Sequence, residues 1–312
     1  MSRPLIDHAP DGDTPPSGHG TALGALLDGL VDYAGLFPPA ALPMAEAVAR
    51  HATYVRGADR AILGRFVLPV ARLDECAAAV DELPAALAPR DGAPWRLSVL
   101  AGAADAETLA SFNARERRRL VIDTVETRAD AAAVIAVIAA SLRAYTTYVE
   151  VPVREDPAPL VAALGDHGLR AKIRTGGVTA DAFPSPAEVL RFLVACVRGG
   201  VPFKATAGLH HPLRGEYALT YAADAPRGTM YGFLNIFLTA AFLEAGVAPG
   251  QVAPLLEERD ASAIEVRPEA IGWRTHLLSG DAIVRIRARL AGSFGSCSFE
   301  EPVQDLTSLR LR

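Results

Sequence analysis

The chain has 312 residues, half of them hydrophobic and 21% charged, with a formal net charge of −5. This length allows one large domain or two ordinary ones, and this balance specifies a folded globular protein. The acidic total, with RERRR (115–119) as the one basic block, argues against a nucleic-acid partner. Apolar stretches such as FLNIFLTAAFLEAG are too short or too interrupted to span a bilayer, so no membrane partner is expected.

The chain opens polar, with Pro, Gly and Asp, and lacks the basic start and apolar core of a signal peptide. Residues 1–20 read as a flexible N-terminal tail. Beyond it, short β-rich runs alternate with Ala/Leu-rich helical runs. Strands are predicted near 29–36, 61–68, 96–101, 118–124, 146–152, 169–174, 201–206 and 262–267. Helices are predicted near 43–57, 72–86, 105–117, 127–142, 157–167, 185–198, 229–245 and 279–291. Asp105, Asp156-Pro157 and Ser185-Pro186 mark helix starts, and Gly168, Gly199-Gly200, Gly246 and Gly292 mark ends.

Eight strands, each followed by a helix, define an α/β fold of the (β/α)8 TIM-barrel type over 21–292, with 293–312 as a C-terminal tail packed on it. An open doubly wound sheet would carry a glycine-rich nucleotide turn after an early strand. The first turn here, GLFPPA, is not one. The connection after strand 7 (207–228) is long for a plain loop and is expected to cover the active site. MYGFLNIFLTAAFLEAG (230–246) is apolar nearly all round, so an oligomer interface or that long connection should bury it; a homo-oligomer is expected. The three cysteines are odd in number and far apart, which argues against a disulfide framework and for a cytoplasmic setting. Cys76 and Cys196 sit at apolar helical positions. Cys297, in SFGSCSFEEP (293–302), lies near Glu300 and Glu301 with no basic neighbour in sequence to activate it, and reads as a nucleophile or as part of the packed tail.

Lys172 and Lys204 are the only lysines, so 29 of the 31 basic residues are arginine. High Ala and Arg with few Lys suggests a GC-rich bacterial coding bias. That bias explains the scarcity of lysine but not its placement. Alternate residues of a strand face opposite sides. If Leu120 and Ile122, Val149 and Val151, Ala171 and Ile173, and Phe203 and Ala205 face the helices, then Asp123, Glu150, Lys172, Arg174 and Lys204 share the barrel interior. One reading is a structural ion-pair network. The other is chemical: an amine loses its proton near neutral pH and attacks a carbonyl, which a guanidinium cannot do. Burial and a second cation both push a lysine pKa down.

Lysines on strands 6 and 7 of a parallel barrel, with an acidic residue on an earlier strand, resemble class I aldolases of the deoxyribose-phosphate aldolase type over about residues 118–215. The resemblance implies that Lys172 forms a Schiff base, that Lys204 is the second lysine that tunes it, and that Asp123 is the assisting aspartate. It implies a lyase acting on a small carbonyl compound with no cofactor. EVRPEAIGW stands where that family has a glycine-serine phosphate turn, so Arg174, Arg214 or the Gly176-Gly177 turn is the expected holder of a carboxylate or phosphate on the substrate.

Glu150 is assigned to proton transfer. His210 or His211, after strand 7, is expected to act as acid/base or to contact substrate; the alternative is a loop histidine capping a helix or turn. Asp32 or Tyr33, closing strand 1, is placed to reach the site, and Arg65 has an ambiguous direction. A second enzyme reading resembles the enolase superfamily, with a divalent metal on Asp123 and Glu150 and Lys172 as base. A third is a barrel that binds a small acid without turnover.

Overall fold

The computed structural model describes residues 5–6, 20–90 and 92–311. The predicted tail over 1–20 therefore lies mostly outside the described residues; within it, Leu5–Ile6 forms a strand, β1, paired in parallel with Leu277 and Leu278. The elements follow in order as α1 (Ala22–Leu27), β2 (Val31–Tyr33), α2 (Met44–Tyr54), β3 (Leu63–Pro69), α3 (Leu73–Asp81), β4 (Trp95–Leu100), α4 (Ala106–Glu116), β5 (Leu120–Arg128) and α5 (Ala132–Ser141). Next come β6 (Thr146–Glu150), α6 (Ala158–Asp166), β7 (Arg170–Arg174), α7 (Pro186–Gly199), β8 (Phe203–Thr206), β9 (Gly215–Ala218), β10 (Arg227–Met230), α8 (Phe233–Glu244) and α9 (Pro249–Val252). The chain ends with β11 (Ile264–Arg267), β12 (Ala270–Trp273), β13 (His276–Ser279), α10 (Gly280–Arg289), β14 (Ala291–Ser296) and α11 (Glu300–Ser308).

Eight of these strands close into a parallel barrel in the order β14-β2-β3-β4-β5-β6-β7-β8, the TIM-barrel topology that the strand–helix alternation specifies. The local signals act as written at α7, where Ser185 accepts from the Glu188 backbone, Pro186 opens the helix and left-handed Gly200 ends it. Outward residues such as Val149, Ala171, Ile173, Phe203 and Ala205 are fully buried in the core between barrel and helices.

Two strands differ from the sequence reading. Residues 262–267 were expected to be strand 8, but Ile264–Arg267 pairs antiparallel with β12 in a separate sheet of order β1-β13-β12-β11. The barrel is closed by AGSFGS at β14, from within the stretch read as a C-terminal tail, and α10 precedes this strand rather than following it. The composition of β14 has steric causes. A Cβ on Gly292 would fall 2.6 Å from both the Phe203 carbonyl and the Tyr148 hydroxyl. Phe294 faces out and stacks on Phe233, with ring centroids 5.0 Å apart. Such a strand carries little intrinsic β-propensity.

The second difference is in β5, which runs four residues past the predicted end. Its register against β4 shifts by one at Asp123: Leu97 pairs with Ile122, and Ser98 pairs with Thr124. Beyond this bulge the facing of every side chain is reversed relative to simple alternation. The apolar α8 is covered within the chain itself. Residues 233–243 are all buried, against α7, α9, α10 and β14, with Trp273 beside Phe242. The long connection after β8 contains the antiparallel β9–β10 hairpin.

Candidate active site

The inward side chains of the barrel form a continuous line of alternating charge. Glu150 and Lys172 are register partners on β6 and β7, and Lys172 and Lys204 are partners on β7 and β8. Lys204 Nζ donates to Asp32 Oδ2 and Glu126 Oε1, each at 2.5 Å. Lys172 Nζ lies 2.9 Å from Glu126 Oε2 and 3.2 Å from Glu150 Oε2. Arg174 Nε donates to Glu150 Oε1 at 3.1 Å. Glu126 and Glu150 thus each bridge two cations, Asp32 ends the line on Lys204, and three cations meet three anions. Ser98 donates to Glu126 Oε1 and Ser293 to Asp32 Oδ2, both at 2.7 Å. Asp32 Oδ1 accepts from the Arg65 backbone at 2.6 Å. It reaches that strand over Gly64, where a Cβ would lie 2.2 Å from the same oxygen.

Burial alone would lower the Lys204 pKa. The Asp32 and Glu126 carboxylates outweigh burial and hold it above the usual lysine range, so Lys204 is a fixed cation. Burial alone would raise the Glu126 carboxyl. The two lysines, with Ser98, hold it well below the usual carboxylate range.

Above this network, at the ends where the strands exit, lies a cavity of ≈ 360 Å³. Lys172, Glu126, Arg174, His210 and Cys297 line it, together with Phe37 and the loops after β7 and β8. Lys204 does not line it and has no exposed surface. A more open depression of ≈ 850 Å³ beside it shares Arg174 and Ala182, is also lined by Glu150, and is lined by neither lysine.

The expected site residues divide accordingly. Glu150, Lys172, Arg174 and Lys204 come together as the strand alternation implies. Arg174 is also 53% exposed, so it can turn to a ligand. Asp123 does not join them. The bulge leaves its carboxylate to Arg65 and Arg96, at 2.5 Å each, and these pairings hold its pKa low despite burial. Glu126, three residues on, stands in the place expected for Asp123. Asp32, expected to contact substrate, is instead buried against Lys204. Asp123 and Glu150 are held by different arginines and do not converge as the enolase-like reading requires. Among the described residues no group of three or more His, Cys, Asp or Glu side chains is arranged to hold a metal ion.

Gly177 lines the cavity, whereas Gly176 packs on Phe183, whose ring a Cβ would meet at 2.3 Å. Arg214 stacks on Tyr231 at 4.5 Å and does not line the cavity. The two histidines diverge, and each meets an acid one turn apart on α11: His210 Nδ1 lies 3.1 Å from Glu301 and His211 Nδ1 2.6 Å from Asp305. His210 remains on the cavity wall; His211 stacks on Tyr217, at a centroid distance of 3.5 Å. Cys297, which has no basic neighbour in sequence, has His210 beside it in space. Sequence reasoning missed Glu126, Ser98 and Ser293. Only Glu126 left a signal, a second carboxylate in the β-rich run VIDTVET.

The chain is thus a (β/α)8 TIM barrel with a charged interior below a cavity at the strand exits. No family model matches it, and no curated protein is detectably similar to it. The aldolase resemblance therefore stands on barrel topology and lysine placement, and a fold alone does not assign an activity. Among the described residues no helix is long and apolar enough to cross a membrane.

Proposed function

We propose that this barrel is a lyase of the aldolase kind, acting on a small carbonyl compound through a Schiff base on Lys172. The observation that carries the reading is that Lys172, alone of the two lysines, lines the cavity at the strand exits, with Nζ between two carboxylates. Lys204 is the fixed cation behind it. Glu126 is held ionised by both lysines and is a poor base, so Glu150, with its second oxygen on the half-exposed Arg174, is the group that takes the Lys172 proton. The freed amine adds to the substrate carbonyl carbon. The C=O electron pair goes to oxygen, which leaves as water after protonation, and an iminium remains. In a β-hydroxy carbonyl substrate the bond between the α- and β-carbons then breaks: its electron pair forms an enamine with the iminium, the β-hydroxyl loses its proton and becomes the carbonyl of the released fragment, and the enamine is protonated at the α-carbon and hydrolysed by water to free Lys172. Arg174 is the holder for a substrate carboxylate. This chemistry draws on no metal or cofactor.

The test is borohydride trapping with a panel of small aldehydes, ketones and 2-oxo acids, read by intact mass and peptide mapping. A single adduct on Lys172, absent in Lys172→Arg and indifferent to EDTA, is expected. An adduct confined to Lys204, or none across the panel, overturns the reading; binding without any adduct points to a non-catalytic small-acid barrel.

A further inference from the structure

The wall of the cavity formed by Cys297 and His210 has no part in the lysine chemistry. Cys297 directly follows β14, at the strand exits where barrel side chains meet their ligands. It is 5% exposed and lines the cavity. Its Sγ lies 4.0 Å from His210 Nδ1 and 3.6 Å from the Tyr221 hydroxyl. Glu301 ties the group together: its Oε2 lies 3.1 Å from His210 Nδ1 and accepts from Tyr221 at 3.0 Å. His210 is itself 7% exposed, yet it too lines the cavity. Burial alone would lower its pKa; Cys297 and Glu301 outweigh burial and hold it up at about 9. Cys76 and Cys196 are a contrast within the same chain. Both are fully buried on apolar helix faces, and burial pushes both thiols up, Cys76 to about 12.

We propose that Cys297 is a second nucleophile of this cavity, with the protonated His210 as its cationic partner, and that it takes small α,β-unsaturated carbonyl compounds as covalent ligands. The thiol proton leaves to water, and the His210 imidazolium stabilises the sulfur anion. Sγ bonds to the β-carbon, the C=C electron pair moves to the α-carbon, and the α-carbon takes a proton from His210, which recovers one from water. One S–H and one C=C become one S–C and one C–H, and no oxidant or reductant is needed. A thiol in contact with an imidazole is the arrangement that activates cysteine in general.

Acrylamide is a probe small enough for the cavity, and no borohydride is involved, so the result is independent of the Lys172 reading. The folded protein is incubated with acrylamide at pH 7 and its cysteines are followed by peptide mass spectrometry. Cys297 should react at least tenfold faster than the same thiol in the urea-unfolded chain, while Cys76 and Cys196 stay unmodified. His210→Gln should lower the Cys297 rate at least tenfold. A Cys297 rate at or below that of the unfolded chain overturns the proposal, as does an unchanged rate in a folded His210→Gln protein. If that variant unfolds, Cys76 and Cys196 report it by reacting, and the wild-type ratio decides alone.

Discussion

Glu126→Gln isolates the carboxylate on which both lysines depend. Each Glu126 oxygen faces an ammonium, and Ser98 donates to one of them as well. Glutamine keeps the volume but turns an NH2 toward one of these donors and leaves an uncompensated positive charge in the barrel. Breaking a buried pair from one side costs about 3–5 kcal/mol. An unfolding entropy of about 2.1 cal/mol/K per residue over 312 residues converts this into a fall of about 5–8 °C in Tm. The pH dependence has a definite sign. The folded Glu126 pKa is depressed, so its contribution is present above the unfolded value near 4.3 and is lost as pH falls toward the folded value. The folded Lys204 pKa is raised, so its contribution is present below about 10.4 and is lost only as pH rises through the raised value. The stability gap between wild type and variant should therefore be full at pH 7 and narrower at pH 3.5. Urea unfolding followed by the fluorescence of buried Trp95 and Trp273 measures both. A gap under about 1 kcal/mol at pH 7, the worth of an exposed pair, or a gap that ignores pH, refutes the argument.

Three further outcomes follow from the same structure. His51 is buried against Tyr33, Phe66 and Trp95, and burial pushes its pKa down to about 3. A base depressed in this way loses stability as pH falls below about 6.5, by roughly 2–3 kcal/mol at pH 4.5. His51→Phe should remove that share of the acid sensitivity in urea titrations at pH 7.5 and 4.5, and equal sensitivity in both proteins contradicts it. Gly64→Ala forces a methyl onto Asp32 Oδ1 and should cost about 1–3 kcal/mol, checked by Tm; a change within about 0.5 kcal/mol means that Asp32 can move freely. Asp123→Asn, at a carboxylate 27% exposed, should cost only about 1 kcal/mol and leave borohydride trapping at Lys172 unchanged. A tenfold drop in trapping returns Asp123 to the site.

The barrel was legible because its signals are periodic: apolar outer positions at 149, 171, 173, 203 and 205, separated by helices with readable caps. Two features were hidden, each for a physical reason. β14 is built of small residues because Gly292 meets the Phe203 carbonyl and Tyr148, and no propensity scale marks such a strand. IEVR at 264–267 looks more like a strand and is one, in another sheet. The bulge at Asp123 inverts the facing of the rest of β5, so counting by twos brings Asp123 to the lysines and misses Glu126. The neighbours of Cys297 come from residues 76 and 87 positions away, a distance that no local pattern crosses.

The two lysines do not carry equal weight as signs of chemistry. Lys204 crosses the interior from β8 to carboxylates on β2 and β5 and meets both oxygens with one compact nitrogen. A guanidinium there would bring five N–H donors, in a rigid fork, into a space that presents two short contacts to a single point, so some of its donors would be left unpaired. Packing alone is a sufficient reason for an amine at 204. At 172 the same reason is weaker, since Lys172 Nζ meets its two carboxylates at the longer distances of 2.9 and 3.2 Å. Lys172 opens on the cavity, and Arg174, two residues on, already holds Glu150 from the same strand with a guanidinium. A chain that prefers arginine had a ready substitute at 172 for a purely structural cation. Of the two amines, it is the one that opens on the cavity, and it is where covalent trapping has to look.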